Sequence, residues 1–547
     1  MKYTIVVVGS GATALSLLRS FYDECMRSLV SKPLTIYVVE RRRYKGRGLA
    51  YDVDVSTNLL NTRAGFITPF IDKPGHFYEW LASNRELWED EFPNLEISVD
   101  TFVPRSLFGL YLEYMMSDLA GMFAAIGVEL VQVRGEVTSL DKDPRGKVNL
   151  ITDSGLKITA DHVAMCCGNL QSKEYSALET HAGFHPTPYP IGRLARTARS
   201  KASVAILGAR LSAIDAALGL VGCGFQGQIT LYSRSGYFPS VRGTQGRYTP
   251  SILTLNRLRR HFERHGPIRL PLVLKWMVQE LEIAGCPVVN IERLPPAAPV
   301  DVIAFLENEI AAAASPRPWQ AVLYATNSVI DYLWQILHDD DRATFMSRYA
   351  AAWMSYRVSI PTENASRLVE LARQGRLLFR RGPASVAPVA GGGFSITNNR
   401  GADSCSVENF DMVVAAFGTP RDAKQLNSIL IQSILKSGLA QAHRYGGLVV
   451  DPGTNALIDS FGSSSDHILV LGELTSGVHF FTSVLEVNAR HAARLAKRIF
   501  AQTTHGASTP ISLPALVPPS LPLGFYGKTQ PATFQKSDLF REQKSAT

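Results

Sequence analysis

Two glycines, Gly9 and Gly11, interrupt the stretch IVVVGSGATAL that runs from Ile5 to Leu15, and a carboxylate, Glu40, closes a second apolar run, Leu34 to Val39. An apolar strand, a glycine turn, a helix and a second strand with an acid at its tip form the fingerprint of a dinucleotide grip. Each residue type has a task in it. Gly9 permits the tight turn, Gly11 lets the backbone approach a pyrophosphate, and Ala14 allows close helix packing, while the helix start offers free N–H groups and positive potential. Glu40 accepts hydrogen bonds from the ribose hydroxyls of an adenosine half. Arg41, in the run Arg41-Arg42-Arg43, either draws in phosphates or is solvated surface charge. A secretory leader also begins with a lysine and an apolar core, but here glycines break that core, and Arg19 follows in what reads as an amphipathic helix ending near Ser31.

A second copy of the pattern starts at Ser203. The run Ser203 to Leu207 meets Gly208, a helix through Asp215 follows, and the strand Ile229 to Tyr232 ends in Ser233-Arg234-Ser235. Two dinucleotide folds imply two nucleotides. Arg210 occupies the place of the middle glycine, where a side chain crowds a pyrophosphate unless its guanidinium turns outward to bind it. Arg234 stands where an NAD site carries an acid, and a cation there pairs with a 2′-phosphate, so NADPH is favoured over NADH. A lobe that keeps the fold but binds nucleotide weakly or not at all is the alternative.

Other elements must position these groups. His162 to Asn169, with Gly168, and Met412 to Pro420 are strand-then-glycine endings that read as crossings between two lobes. His467 to Glu473 is a strand closing on Gly472-Glu473, and the helix Val484 to Phe500 follows, which suits a chain returning to complete the first lobe's sheet. Between about 253 and 380 the pattern is helical, with helices expected over Val302–Ala314, Trp319–Leu337, Arg342–Trp353 and Asn364–Gln374. Trp276, Trp319, Trp334 and Trp353 in this stretch pack helices together or wall a pocket. After Phe500 the composition turns to Thr, Ser, Pro and Gly, as an extended or disordered tail does.

Composition narrows the function classes. The chain has 547 residues, 46% hydrophobic and 19% charged, with a net charge of +8. That length predicts more than one lobe, and the scattered basic residues form no nucleic-acid arm. No window is apolar long enough to span a membrane. The six cysteines, Cys166-Cys167 among them, show no Cys-x-x-Cys and no Cys/His metal spacing, which argues against a disulfide framework, a metal site and a dithiol reductase. A reducing cytoplasm is the expected compartment.

With these motifs the chain resembles the two-dinucleotide-binding-domain flavoproteins and, more narrowly, the bacterial FAD/NAD(P)-binding oxidoreductases of the YdhS type. The blocks that carry the likeness are Gly48-Leu49-Ala50-Tyr51-Asp52, Leu59 to Gly65, His76 to Leu81, Val103 to Leu112, Ser233 to Pro239 and Trp353-Met354-Ser355-Tyr356-Arg357. The resemblance implies an α/β fold of two Rossmann-like domains. Residues 1–200 and 395–505 form a discontinuous FAD-binding domain, residues 201–394 an NAD(P)-binding-like domain with a helix-rich insertion at about 253–380, and 506–547 a tail. It implies FAD in the first lobe, held by Gly9, Gly11, Ala14, Glu40, Arg41, Asn61, Gly168, Gly472 and Glu473. It also implies NADPH or NADH at the second, held by Gly208, Arg210 and Arg234.

Asn61, Arg63 and His479 are the candidate polar groups beside the flavin, Arg63 to stabilise a reduced-flavin anion or a substrate carboxylate and His479 as an acid/base by type. The expected activity is a monooxygenase that uses molecular oxygen, through a flavin hydroperoxide, on a small polar substrate. Small amines, amino acids and purine-like heteroaromatics all fit. A flavin dehydrogenase or reductase and a non-catalytic FAD-binding sensor are the alternatives. Glu473 stands where many relatives carry Asp, and Thr475 to Thr482 departs from their sequence near the flavin, which suits a distinct substrate.

Overall fold

Val6 and Val7 are fully buried in the strand Tyr3–Val8, as β-branched residues in a parallel strand covered on both faces should be. In the computed structural model, which describes residues 2–28, 33–244, 246–383, 385–399 and 405–504, this strand sits centrally in a six-stranded sheet. Its neighbours are Leu34–Glu40 and His162–Met165, both parallel, with Val8 opposite Val39 on one side and Met165 on the other. Glu129–Arg134 extends one edge. Ser464–Val470 pairs beyond His162–Met165, so the chain returns to this sheet near its end. The opening helix Ala12–Arg27 packs along the last helix, Leu485–Thr504, with the rings of Phe21 and Phe500 6.1 Å apart. The opening helix ends at Arg27, short of Ser31, and both Ser31 and the Pro-rich stretch 506–547 lie outside the described residues.

The second sheet repeats the first. Ser203–Leu207 lies between Gln228–Ser233 and Met412–Ala415, all parallel, with Leu377–Arg381 and the short Phe184–His185 at the edges. The repeat reaches further than the glycine motifs. In each lobe a three-stranded antiparallel meander, Val137–Ala160 in the first and Ser385–Phe410 in the second, precedes the strand that returns to the sheet centre. Two boundaries expected from sequence shift accordingly. Met412–Ala415 and Phe184–His185 belong to the second sheet, not to the FAD-binding segments 395–505 and 1–200. Backbone pairing decides this, and an apolar run closing on glycine reads the same in either lobe.

Helices fill the stretch between Leu255 and Arg373. The helix expected over Trp319–Leu337 is broken into Pro318–Ala325 and Ile330–Ile336. At the break the hydroxyls of Thr326 and Ser328 donate to the carbonyls of Leu323 (2.6 Å) and Ala325 (2.8 Å), competing for helix acceptors. The helix expected over Arg342–Trp353 instead starts at Asp339, where three successive aspartates favour a helix N-terminus, and it carries a π-helical turn at Phe345–Tyr349. Trp334 and Trp353 lie 4.7 and 5.0 Å from Phe480, and the Trp334 indole donates to Gly477 O (2.8 Å). These tryptophans thus join the helical insertion to the segment after Glu473.

Candidate functional site

The first glycine turn is built by contacts that leave little choice at one position and much at another. Gly9 has φ +97°, and a Cβ there would lie 2.4 Å from the carbonyl oxygen of Cys166. The protein itself demands glycine at that point. At Gly11 the conformation is extended, and a Cβ would meet only Gly48 Cα, at an ordinary 3.5 Å. The fold itself leaves room for a side chain at Gly11, so the bare backbone there keeps the space above the loop open, as a pyrophosphate would need. The helix that begins there has no side-chain cap, so its first N–H groups point at the same space. Ala14 is fully buried at the helix–sheet contact.

Glu40 completes this cradle. Its carboxylate accepts from Ser10 N (3.1 Å), Ser10 Oγ (3.3 Å) and Arg42 N (3.0 Å), which pins the glycine loop to the tip of the second strand. Both Ser10 bonds fall on Oε2, so Oε1, which accepts only from Arg42 N, keeps a lone pair for a ribose hydroxyl. The residues present thus fit an adenine dinucleotide. Arg41 does not face the cradle: it pairs with Glu136 (3.1 Å) at the surface, and Arg42 is the cation 3.6 Å from Glu40.

The second turn follows the same plan. Gly208 has φ +144°, and a Cβ would lie 2.4 Å from Ala416 O, the counterpart of Cys166 O. Arg210 caps its helix in the same extended conformation as Gly11, so an L-side chain is unstrained there. The Arg210 side chain keeps solvent contact, yet its partial burial first, and then the charges of Arg421 and Arg234, pull its pKa down. Arg234 is mostly exposed, 3.9 Å from Glu174. Arg421, which the motif search missed, donates to Tyr445 O (3.1 Å), lies 5.6 Å from the Phe480 ring and interacts with Glu473. Burial raises the Glu473 pKa against the opposing hydrogen bond from Thr482 Oγ1 (3.1 Å) and the charge of Arg421. Gly472, beside Glu473, has φ +78°. Gly168 and Gly418 take positive φ at equivalent crossings, each with open space before it.

Asn61, Arg63 and His479 fare differently. Asn61 is half-buried and hydrogen-bonds through its side chain to no other described residue. Arg63 is engaged, on Asp100 (3.0 Å) and on Gly243 O of the second lobe, so it joins the lobes and is not free beside a flavin. His479 is fully buried, with Nδ1 3.0 Å from Gln335 Nε2 and Nε2 3.2 Å from Asn455 Oδ1. The amide N–H donates to Nδ1 and Nε2–H donates to the amide oxygen, so the neutral ring satisfies both partners. The acid/base role expected from residue type is replaced by a packing role. Burial also pushes the thiol of Cys167 up to about 12, so the adjacent cysteines are unreactive.

The buried histidines predict an acid limit to stability. Burial holds His479 well below its ordinary pKa and pulls His162 down to about 3. Each keeps its full contribution above about pH 6.5, and loses it as pH falls toward the folded-state value because the unfolded chain takes up the proton first. Urea unfolding free energy is expected to be flat from about pH 7 to 8 and to fall by about 1.4 kcal/mol per pH unit per histidine below about pH 6. A flat profile down to about pH 5 contradicts this.

Among the described residues no three His, Cys, Asp or Glu side chains are grouped to hold a metal, and no helix is long and apolar enough to cross a membrane. Residues 6–170 match the protein family described as FAD-NAD(P)-binding. No curated protein matches the chain. Among solved structures, the L-lysine 6-monooxygenase of Pseudomonas syringae is similar, with a TM-score of 0.54 at 15% identity over 92% of this chain and 99% of that one. The ornithine N-hydroxylase of Kutzneria sp. 744 gives 0.51 at 14% identity over 92% and 100%. The cadaverine monooxygenase of Erwinia amylovora gives 0.52 at 13% over 94% and 99%. The chain thus shares the fold of these enzymes, and residues 6–170 of its first lobe are the part that matches the FAD-NAD(P)-binding family.

Proposed function

We propose that the chain is an FAD-dependent NAD(P)H oxidoreductase of the monooxygenase kind, acting on a small polar substrate. The observation that carries the reading is the duplicated cradle. Two glycine turns of the same build, Gly9 against Cys166 O and Gly208 against Ala416 O, serve two nucleotides. Bound FAD supplies two-electron chemistry, taking electrons from a nicotinamide and passing them to oxygen. The protein's part is to hold and orient. Gly9, Gly11, Ala14 and Glu40 seat the adenosine half, and Gly168, Gly472 and Glu473 line the flavin's path. Asn61 offers a free amide, while Arg210 and Arg234 take the phosphates of NADPH. The fold shared with enzymes named for lysine, ornithine and cadaverine supports small amines and amino acids as first substrates to test. The motif blocks around Leu59 to Gly65 and Trp353 to Arg357 support the narrower likeness to the YdhS type.

The test is stoichiometric. With FAD-loaded protein and a true substrate, NADPH consumption should match hydroxylated product, with little hydrogen peroxide released. Reduction of an added acceptor with no product from any amine, amino acid, purine or small organic acid offered would leave a reductase instead. Arg234→Ala is expected to raise KM for NADPH about tenfold while leaving KM for NADH unchanged, as loss of one exposed phosphate contact predicts. Equal changes for both nucleotides would remove Arg234 from the 2′-phosphate site.

A further inference from the structure

Arg357, at the end of the helix Ala350–Arg357, is a buried cation without an acid of its own. It is 7% exposed; one terminal nitrogen donates to Asn327 Oδ1 (2.6 Å), while its Nε has no partner. Glu486, an acid whose charge acts on Arg357, is exposed and meets the other side of the same amide, accepting from Asn327 Nδ2 (3.1 Å). Burial pulls the Arg357 guanidinium down to about 10, and Arg242 adds to the effect. Arg242 forms no side-chain hydrogen bond or ion pair with another described residue. Its guanidinium lies 3.9 Å from the Tyr324 ring centre, and that of Arg357 lies 4.5 Å from the same centre. Phe481, from the segment after Glu473, stands 5.0 Å from Arg357. Two cations sharing one aromatic ring, one of them with an orphaned donor, are costly to keep unless something anionic joins them.

The position of this pair is fixed by a network that no substrate need touch. Val241 N donates to Glu309 (3.0 Å), Val241 O accepts from Arg317 (2.9 Å) and Gln320 (2.7 Å), and Glu309 pairs with Arg317 (2.7 Å). Arg242 N donates to Ile360 O (2.8 Å) at an isolated bridge between Val241 and Ile360, which ties its segment to the one that follows Arg357. Gly243 O accepts from Arg63 in the first-lobe block that also holds Asn61. The pair is thus preorganised where both lobes and the segment after Glu473 meet.

We propose that Arg357 and Arg242 form the anchor for a carboxylate on the substrate, so that this enzyme takes a small organic acid and rejects substrates that are only cationic. This rests on the oxidoreductase reading for the word substrate, but the binding itself does not need turnover. A planar carboxylate suits the pair because guanidinium N–H groups donate in their own plane and can meet both oxygens, with the Tyr324 and Phe481 rings beside them. A diamine would bring a third positive charge to the pair.

The experiment titrates oxidised, FAD-loaded protein with benzoate, succinate, benzamide, inorganic phosphate and cadaverine, following flavin absorbance and heat of binding without NAD(P)H. At least one of the two carboxylates is expected to bind at least about 30-fold more tightly than benzamide, and more tightly than phosphate or cadaverine. Arg357→Met and Arg242→Met should each weaken that binding at least about tenfold with FAD content unchanged. Melting temperature separates this from a structural role: Arg357→Met should melt no lower than wild type, because a buried cation is removed. The proposal is overturned if neither carboxylate binds at about 10 mM, if phosphate or cadaverine binds best, or if both variants bind as wild type. Loss of FAD from both variants would also overturn it, assigning the pair to the cofactor. Failure of hydroxylation with carboxylate binding intact would count against the monooxygenase reading alone.

Discussion

Gly11→Ala should fold as the wild type does and bind FAD about 100-fold more weakly, whereas Gly9→Ala should lose about 3 kcal/mol of stability even without cofactor. The two positions are one residue apart, yet their environments differ in kind. A methyl at Gly9 needs φ +97° and would sit 2.4 Å from a backbone oxygen that cannot move without breaking the Cys166 N to Val8 O bond of 2.8 Å. A methyl at Gly11 meets only Gly48 Cα at 3.5 Å, in a conformation open to any residue. The cost of alanine at Gly11 therefore falls on the ligand. Urea unfolding of the apoproteins and FAD titration separate the two effects. Equal loss of stability in both variants would mean that Gly11, too, is required by the chain itself.

The second large effect is expected at the seam between the lobes. Asp215, on the helix of the second glycine turn, is 2% exposed; it accepts from the Tyr189 hydroxyl (2.6 Å) and pairs with Arg105 (2.5 Å), which begins a first-lobe helix and also donates to Leu59 O (3.1 Å). Asp215→Ala leaves the Arg105 guanidinium buried and unpaired, at a cost of about 3–5 kcal/mol. Arg105→Met combined with Asp215→Leu should recover most of that loss, because a matched apolar pair replaces the ions. Denaturant unfolding of the single and double variants measures both. If the single change costs under about 1 kcal/mol, the pair does not hold the lobes together.

Local backbone demands were legible in the sequence. Gly9 and Gly208 are glycines because of positive φ and a close carbonyl, and both could be found from a strand meeting a helix at a glycine. The acid at Glu40 and the returning strand before Gly472 followed from the same alternation. Direction of side chains was not legible. Arg63 and His479 have the right chemistry, but one is spent on Asp100 and Gly243 and the other is sealed between Gln335 and Asn455. The sheet that takes Met412–Ala415 is decided by pairing with Ser203–Leu207, far away in the chain. Arg421 escaped notice, and Arg357, named only as the end of a block that carries the family likeness, received no role, for a related reason. Neither lies in a glycine motif, and each gains meaning only from groups brought to it by other segments.

The central claim is that a nicotinamide in the second lobe delivers electrons to FAD in the first. Anaerobic rapid mixing of FAD-loaded protein with NADPH, and separately with NADH, tests it most directly. The flavin's visible absorbance should bleach with saturable dependence on nucleotide, and Arg210→Ala should demand more nucleotide for the same rate. Persistence of the oxidised flavin spectrum with both nucleotides would contradict it and leave a protein that holds FAD without turning it over.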